Sequence, residues 1–197
     1  MKINNIPIYK AFVQLKENNP QEITSIAFGV KLQGAWDTGY IVPLVNDAGE
    51  VSMSIVNRIK GGRIISGVVG SQVINDTTIC MRSPFKSLDG FEVYELDIVK
   101  GDENYGIVLN GYYGDSRDHY GWHIQYLDGH TEPMSIREYY EVVTDVFGTE
   151  ESAQFTYTDK MNERMRHSPM TSEGKLIDLA PFRDIAQDYI TIRIIPV

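Results

Sequence analysis

The chain has 197 residues, of which 42% are hydrophobic and 23% are charged. This composition is typical of a folded protein with one large domain or two small ones. No apolar run approaches the roughly 20 residues that a membrane span needs, and the first residues lack the apolar core and cleavage site of a signal peptide. The single cysteine, Cys80, excludes an internal disulfide framework and a cysteine-rich zinc site. Together these features predict a cytoplasmic protein that does not associate with membranes.

The net charge of −9 comes from the middle of the chain, because residues 91–150 hold 13 Asp and Glu but only 3 Lys and Arg. Such a block repels a phosphate backbone, since nucleic-acid binding depends on Lys and Arg that displace counterions. The one basic cluster of residues 1–90 is formed by Arg58, Lys60 and Arg63, which we interpret as a solvated hairpin turn. The charge pattern therefore predicts no nucleic-acid partner.

The first 90 residues are dominated by strand patterns. β-Branched and aromatic residues predict strands at 6–15, 23–32, 39–45 and 73–82. Turn residues at 46–49 predict a hairpin, after which Val51, Met53 and Ile55 alternate with serines. This alternation predicts a returning strand with one buried face.

Residues 91–147 follow a rhythm of short strands and tight turns. Strands are predicted at 92–99, 106–113, 120–127 and 141–147, with a single helical turn at 136–140 that Ser135 would cap. Within 120–127, Trp122 and Ile124 fall on one face and His123 on the other. The pattern favours a small, curled antiparallel sheet or SH3-like barrel.

The C-terminal residues 151–197 differ in character from the rest. A helix is predicted around 158–166, and a second one starts near Pro181, which suits the first helical position. That second helix would place four residues on one face, namely Phe182, Ile185, Ala186 and Tyr189. The last segment, 190–197, reads as a strand that needs a sheet edge, so we expect this extension to dock, on its own chain or on a neighbouring one. A strand edge of this kind also predicts a homo-oligomer.

The predicted organisation has three parts within a mainly β fold of the β-rich α+β type. Residues 1–90 form an N-terminal β-rich region, residues 91–150 form the barrel region, and residues 151–197 form a helix-plus-strand extension.

Asp97 lies between Leu96 and Ile98, where a strand should begin. A buried carboxylate without partners is costly, but an aspartate readily accepts hydrogen bonds from the backbone N–H groups of a turn. We therefore interpret Asp97 as a clamp for the turn that leads into the strand, with Tyr94 packed beneath it. No base follows nearby in the sequence, so a catalytic role for this acid is not predicted.

The same stretch resembles a family of proteins from bacteriophages and prophages. Residues 87–100, SLDGFEVYELDIVK, are similar to the motif of YopX-like phage proteins. The matching positions are Gly90, Tyr94, Glu95, Asp97, Ile98 and Val99. Leu96 replaces a glycine of the family motif, so the turn is expected to differ there. Residues 35–37 and 141–147 also resemble the family, and the resemblance covers about residues 35–150. It implies a phage or prophage context and a β-rich fold, and it implies no biochemical activity.

Three histidines, His119, His123 and His130, lie near aspartates and raise the question of a metal site. Residues four apart on a strand are about 13 Å apart, too far to share one ion. We therefore predict surface histidines and no metal. The sequence also has no phosphate-binding loop and no nucleophile motif. It predicts no cofactor, no identifiable small-molecule substrate and no enzymatic activity.

Tyrosines beside acidic residues give the candidate interaction surface. Its members are Tyr112, Tyr113, Asp115, Asp118 and Tyr120, and aromatic residues are enriched at protein interfaces. The leading hypothesis is a non-enzymatic module that binds another protein or assembles with itself. The alternatives are an acidic decoy that occupies a nucleic-acid-binding protein of the host and, after it, a β-barrel that binds nucleic acid.

Overall fold

The structure is a computed structural model of the whole chain. It describes residues 7–13, 21–24, 31–45, 47–56, 59–60, 63–64, 78–88, 90–101, 104–135, 138–148 and 175–192.

The described residues form thirteen strands and one helix. In chain order the strands are β1 Tyr9–Val13, β2 Gln21–Thr24, β3 Lys31–Val45, β4 Val51–Val56, β5 Ile59–Lys60, β6 Arg63–Ile64, β7 Cys80–Ser87, β8 Glu92–Tyr94, β9 Asp97–Lys100, β10 Tyr105–Tyr113, β11 His119–Tyr126, β12 Thr131–Pro133 and β13 Tyr139–Asp145. The helix, α1, spans Ala180–Ile192. The predicted mainly β fold is confirmed.

Eleven of the strands belong to one sheet, in the order β12-β11-β10-β9-β13-β7-β1-β3-β2, with β4 paired to β3 and β8 paired to β7. The pairings are antiparallel except for the parallel pair of β13 with β7. Among the described residues the order is open, because β12 and β2 are its two ends and do not pair with each other. The antiparallel sheet predicted for 91–147 is therefore present, while a closed barrel is not seen in this part of the chain.

The N-terminal predictions are partly right. The hairpin after residue 45 is confirmed, since β3 and β4 pair from Val45 opposite Val51 to Tyr40 opposite Val56. The predicted strand at 23–32 is wrong, because Thr24 of β2 lies opposite Lys31 of β3 and the chain reverses direction between them. Residues 25–30 of that stretch lie outside the described residues. Residues 73–77 of the predicted strand at 73–82 lie outside the described residues, and β7 begins at Cys80.

In the middle of the chain the segment 92–99 is two strands, β8 and β9, separated by a turn at residues 95–96. The predicted helical turn at 136–140 is wrong over its described part, because Tyr139 and Tyr140 already belong to β13, and residues 136 and 137 lie outside the described residues. Tyrosine and the valines that follow have high strand propensity, and the parallel pairing of Tyr140 with Ser87 outweighs a short capping pattern.

The C-terminal extension docks on its own chain through α1. As predicted, Pro181 lies at the start of the helix, and Phe182, Ala186 and Tyr189 are buried on one face. The predicted strand at 190–197 is wrong over its described part, because residues 190–192 complete α1. Ile190 packs partly against the core cluster of α1, while Ile192 is 68% exposed. The predicted helix around 158–166 lies outside the described residues.

Buried side chains occupy both faces of the sheet. One core cluster includes Phe12, Ile98, Leu109 and the buried residues of α1, and a second includes Val99, Val108 and Ile124. The sheet is continuous across residues 90–91, since β7 pairs with β8 and β13. Within the described part of the chain, no helix has the length and apolarity required to cross a membrane.

Candidate functional site

The turn between β8 and β9 organises the centre of the sheet. Leu96 adopts a left-handed backbone with φ of 67°, a conformation that glycine adopts most easily. This is the position at which the YopX-like motif has glycine. The turn is held from both sides, because Glu95 N donates to Met81 O at 2.9 Å and Leu96 N donates to Val108 O at 2.8 Å. The leucine side chain is fully buried, which compensates for the less favourable backbone.

Asp97 closes this turn as predicted. Its Oδ2 accepts a hydrogen bond from Tyr94 N at 2.8 Å, and Tyr94 is 5% exposed in the core cluster beneath the turn. The other carboxylate oxygen, Oδ1, accepts a hydrogen bond from Lys10 Nζ at 2.7 Å. The partner of Asp97 is therefore a lysine 87 positions earlier in the sequence.

Lys10, Asp97 and Asp145 together form what we call the charged core cluster. Lys10 Nζ lies 3.3 Å from Asp145 Oδ2, and the three side chains are 2%, 6% and 1% exposed. Asp145 Oδ1 in turn accepts a hydrogen bond from Phe147 N at 2.9 Å. Each carboxylate thus binds the same ammonium group and one backbone N–H of a turn.

Aromatic rings surround the ammonium group of this cluster. Lys10 Nζ lies 5.3 Å from the ring centroid of Trp36 and 5.1 Å from that of Tyr94, within the range of a cation–π interaction. Burial would lower the pKa of Lys10, but the carboxylates of Asp97 and Asp145 raise it above its ordinary value. Lys10 is therefore a charged structural group that has no accessible amine to react with a substrate.

The pKa values of the neighbouring acids reflect the same burial. Loss of water raises the pKa of Asp97, a change that the charge of Lys10 opposes and that of Asp145 reinforces. Burial likewise raises the pKa of Tyr94 to about 12. Two carboxylates next to one ammonium leave the cluster with excess negative charge, which explains why each carboxylate also binds a backbone donor.

The other motif residues have structural positions as well. Gly90 has φ of 78° and donates its N–H to Ser87 O at 2.9 Å, as a turn glycine does. Ile98 and Val99 point to opposite core clusters. Glu95 is buried and accepts hydrogen bonds from Met81 N at 2.8 Å and from the hydroxyl of Tyr189 in α1.

Four of the five predicted interaction residues lie on the surface at the loop end of the β10–β11 hairpin, and the fifth, Tyr113, faces the other side of the sheet. Tyr112 lies opposite Tyr120, their rings are 4.9 Å apart in an edge-to-face arrangement at 70°, and the residues are 70% and 68% exposed. We call this pair the aromatic tip. The loop that joins its two strands carries Asp115 and Asp118, both exposed.

Tyr113 lies on the other face of the same hairpin and stacks on His123 at 4.6 Å and 18°. Between them the sheet has Gly111 opposite Gly121, so no side chain separates the two rings. The prediction of a surface position for His123 is wrong, because it is 2% exposed and Nδ1 donates to Gly121 O at 3.0 Å. Burial lowers the pKa of this imidazole.

The two other predicted surface histidines, His119 and His130, are exposed, with side chains that are 64% and 60% accessible. His119 lies 3.5 Å from Asp118, and His130 lies 3.3 Å from Glu132. Within the described ranges, no three residues among His, Cys, Asp and Glu are grouped closely enough to hold a metal ion.

Sequence reasoning missed Lys10 and Asp145, and it placed Tyr189 on the packed face of the helix without its hydrogen bond to Glu95. Lys10 and Asp145 had a usable signal, because each interrupts a strongly apolar strand in the way that Asp97 does. Three charged residues inside apolar strands could have been singled out as buried charges, although their pairing is not visible in the sequence.

The fold and these two sites define a mainly β protein with a charged core and an exposed aromatic surface. Comparisons of the chain with protein-family models, with curated proteins and with solved structures find no match.

Proposed function

We propose that this protein is a non-enzymatic interaction module that binds another protein through the aromatic tip. The observation that carries the proposal is that Tyr112 and Tyr120, 70% and 68% exposed, form a ring pair at the surface, whereas the other pairs of Phe, Tyr and Trp rings among the described residues are buried. Tyrosines of this kind contribute a large apolar area together with a hydroxyl group, and they are frequent binding hot spots.

The geometry of the tip favours binding. The two rings are already in contact across the strands, and each is fixed to a strand of a hairpin that continues into the core. A surface that is ordered before it binds loses little conformational entropy in the complex. The tip therefore fits a role in recognition better than a role in stabilising its own hairpin, whose inner residues are already buried.

The charged core cluster supports a non-enzymatic function. Its lysine and aspartates have the residue types of a catalytic site, but their side chains are at most 6% exposed and each one binds another. A catalytic acid or base must reach its substrate directly or through one water. The arrangement is that of a structural ion-pair network.

The resemblance to YopX-like phage proteins supports a phage or prophage context for this module. The positions that carry the resemblance form the β8–β9 turn and the strand after it, and not the aromatic tip. We accordingly expect related chains to keep the turn and to vary the tip, since the turn holds the sheet together and the tip would follow the partner.

The acidic-decoy hypothesis has less support. Glu95, Asp97 and Asp145 belong to the acidic block, and all three are buried. The surface of this block is therefore less acidic than its composition indicates, and a mimic of nucleic acid depends on exposed charge.

The proposal is tested by selecting peptides from a random displayed library on the immobilised protein. We expect the wild type to enrich a set of related peptides, and the variant Tyr112→Ala/Tyr120→Ala to enrich none of them. The variant Tyr139→Ala is the matched control, because Tyr139 is a tyrosine of similar exposure, 66%, on β13. Enrichment that survives the double substitution, or no enrichment at all, would refute the proposal.

Self-assembly is the competing outcome and has its own measurement. Sedimentation velocity of the wild type over a range of concentrations would show a dimer that dissociates in the Tyr112→Ala/Tyr120→Ala variant if the tip binds a second copy of the chain. That result would mean that the tip binds a second copy of this chain and not a different protein. A wild type that remains monomeric leaves the tip free for another protein.

A further inference from the structure

We infer that the aromatic tip receives arginine side chains from a basic, extended segment of its partner. This inference rests on the proposed function and specifies the chemistry of the partner. It combines two features of the hairpin, the exposed ring faces of Tyr112 and Tyr120 and the acidic loop between them.

The first argument is the charge of the loop. Residues 114–118 join β10 to β11 and contain Asp115 and Asp118, which are exposed, with Arg117 as the only cation of the loop. The carboxylates therefore lie within a few residues of both tyrosines. A partner that approaches the rings also approaches these acids. The carboxylates attract a basic segment and repel an acidic one.

The second argument is the charge of the surrounding surface. Several cations of the described sheet already contact acids, with Lys100 Nζ 3.9 Å from Glu141 and Arg82 3.6 Å from Glu92. Residues 91–150 hold ten more acids than bases, and the excess remains acidic when the three buried acids of this segment, Glu95, Asp97 and Asp145, are set aside. The field around the hairpin therefore attracts cations and disfavours a phosphate backbone as the ligand.

The third argument is the chemistry of the rings. The face of a tyrosine ring carries partial negative charge, and a planar guanidinium group can stack on it and keep its hydrogen-bond donors free for a carboxylate. Lysine lacks the planar group and is more strongly hydrated. The combination of ring faces and nearby carboxylates therefore favours arginine over lysine.

The test uses four short peptides that share a neutral, extended scaffold and carry at their centre two arginines, two lysines, two glutamates or two glutamines. Fluorescence anisotropy at about 150 mM salt, where distant charges are screened, measures their affinities for the full chain. We expect the order arginine, lysine, glutamine, glutamate. Equal affinity for the arginine and glutamine peptides, or tighter binding of the glutamate peptide, would overturn the inference.

Three variants locate the binding. Tyr112→Ala/Tyr120→Ala should weaken the arginine peptide by about tenfold, as expected for the loss of aromatic hot-spot residues, and Asp115→Asn/Asp118→Asn should weaken it severalfold and reduce its salt dependence. Arg117→Asn should strengthen binding, because it removes the cation of the loop, and asparagine tolerates the left-handed backbone of that residue, φ 51°.

The charge control is Asp47→Asn/Glu50→Gln in the exposed β3–β4 turn, which should leave the affinity unchanged. An equal loss in this control would reduce the effect to overall charge and overturn the inference.

The two proposals fail differently. If library selection yields peptides that depend on Tyr112 and Tyr120 but carry no basic residues, the proposed interaction module is supported. The inference of a basic partner is then refuted. If the arginine peptide binds equally well to the tyrosine variant, the inference fails. Far-UV circular dichroism of each variant establishes that a lost affinity comes from the surface and not from unfolding.

Discussion

The charged core cluster and the aromatic tip are opposite exceptions to the rule that apolar residues are buried and polar residues exposed. Lys10, Asp97 and Asp145 are charged groups in the core, and each has its partners at hydrogen-bond distance. Tyr112 and Tyr120 are large aromatic groups at the surface, and among the described residues their rings have only each other as an aromatic contact. The groups of the charged core cluster find their partners inside the protein, so the fold explains their burial. The exposed aromatic tip is not explained by the fold, so we assign function to it.

The most severe test of this distinction is Lys10→Met. Removal of the ammonium group leaves Asp97 and Asp145 buried without a counter-charge, and breaking a buried ion pair in this way costs about 3–5 kcal/mol. We expect urea denaturation to show a loss of this size. The control Lys100→Met removes a half-exposed lysine and should cost about 0.5 kcal/mol or less.

A second substitution separates charge from packing. If the loss comes from the two unpaired carboxylates, Lys10→Met/Asp97→Asn/Asp145→Asn should be more stable than Lys10→Met by at least about 1 kcal/mol, since neutral amides are easier to bury than charges. A triple variant that is no more stable than the single one would show that the loss comes from the contacts of the ammonium group with the rings of Trp36 and Tyr94 and not from the unpaired carboxylates.

The charged core cluster also shows what the sequence could and could not predict. The clamp at Asp97, the β3–β4 hairpin and the buried face of α1 depend on residues close together in the chain, and local patterns predicted them. The partners of Lys10 lie 87 and 135 positions away in the sequence. A local sequence pattern does not predict a contact between residues so far apart. His123 was misplaced for a similar reason, because its burial depends on Tyr113 reaching over the Gly111–Gly121 pair from the neighbouring strand.

The sequence predicted that Tyr112 and Tyr120 would lie near each other, although it grouped Tyr113 with them, and the reason is again local. Tyr112 and Tyr120 belong to two strands joined by one short loop, so a hairpin brings them together whatever the rest of the fold does. What the sequence could not predict is which tyrosines would be exposed. That depends on where the second core cluster ends, between Trp122, which packs against it, and Tyr120, which does not.

The next largest effect is expected at alkaline pH. The pKa of Tyr94 is about 12 in the folded chain against an ordinary value of 10.0, so the unfolded chain loses this proton first. The resulting stability is complete below pH 10 and is lost as the pH rises towards 12, a change of about 3 kcal/mol. The raised pKa of Lys10 acts in the same direction above its ordinary value.

Denaturation midpoints measured from pH 8 to pH 12 should therefore fall above pH 10. In Tyr94→Phe the fall should be smaller, because phenylalanine has no proton to lose. A fall of the same size in both proteins would assign the alkaline loss to groups other than Tyr94.

A smaller effect is expected at the contact between α1 and the β8–β9 turn. The hydroxyl of Tyr189 hydrogen-bonds the buried carboxylate of Glu95 and lies 3.0 Å from Asn110 O. Tyr189→Phe removes this donor from a buried charged group, which should cost about 1–3 kcal/mol. Tyr120→Phe is the matched control at an exposed tyrosine. Equal stability of the two variants would mean that α1 docks through its apolar face alone.

The smallest effect on stability is expected at the aromatic tip, and there a null result is informative. The rings of Tyr112 and Tyr120 contribute a cross-strand aromatic contact, worth at most about 1 kcal/mol in a sheet. Their high exposure means that little apolar area returns to water when they are removed. Tyr112→Ala/Tyr120→Ala should therefore unfold within about 1 kcal/mol of the wild type while it loses the peptides that the wild type selects. A large loss of stability would place the pair with the charged core cluster as part of the architecture, and the interaction surface would then have to lie elsewhere.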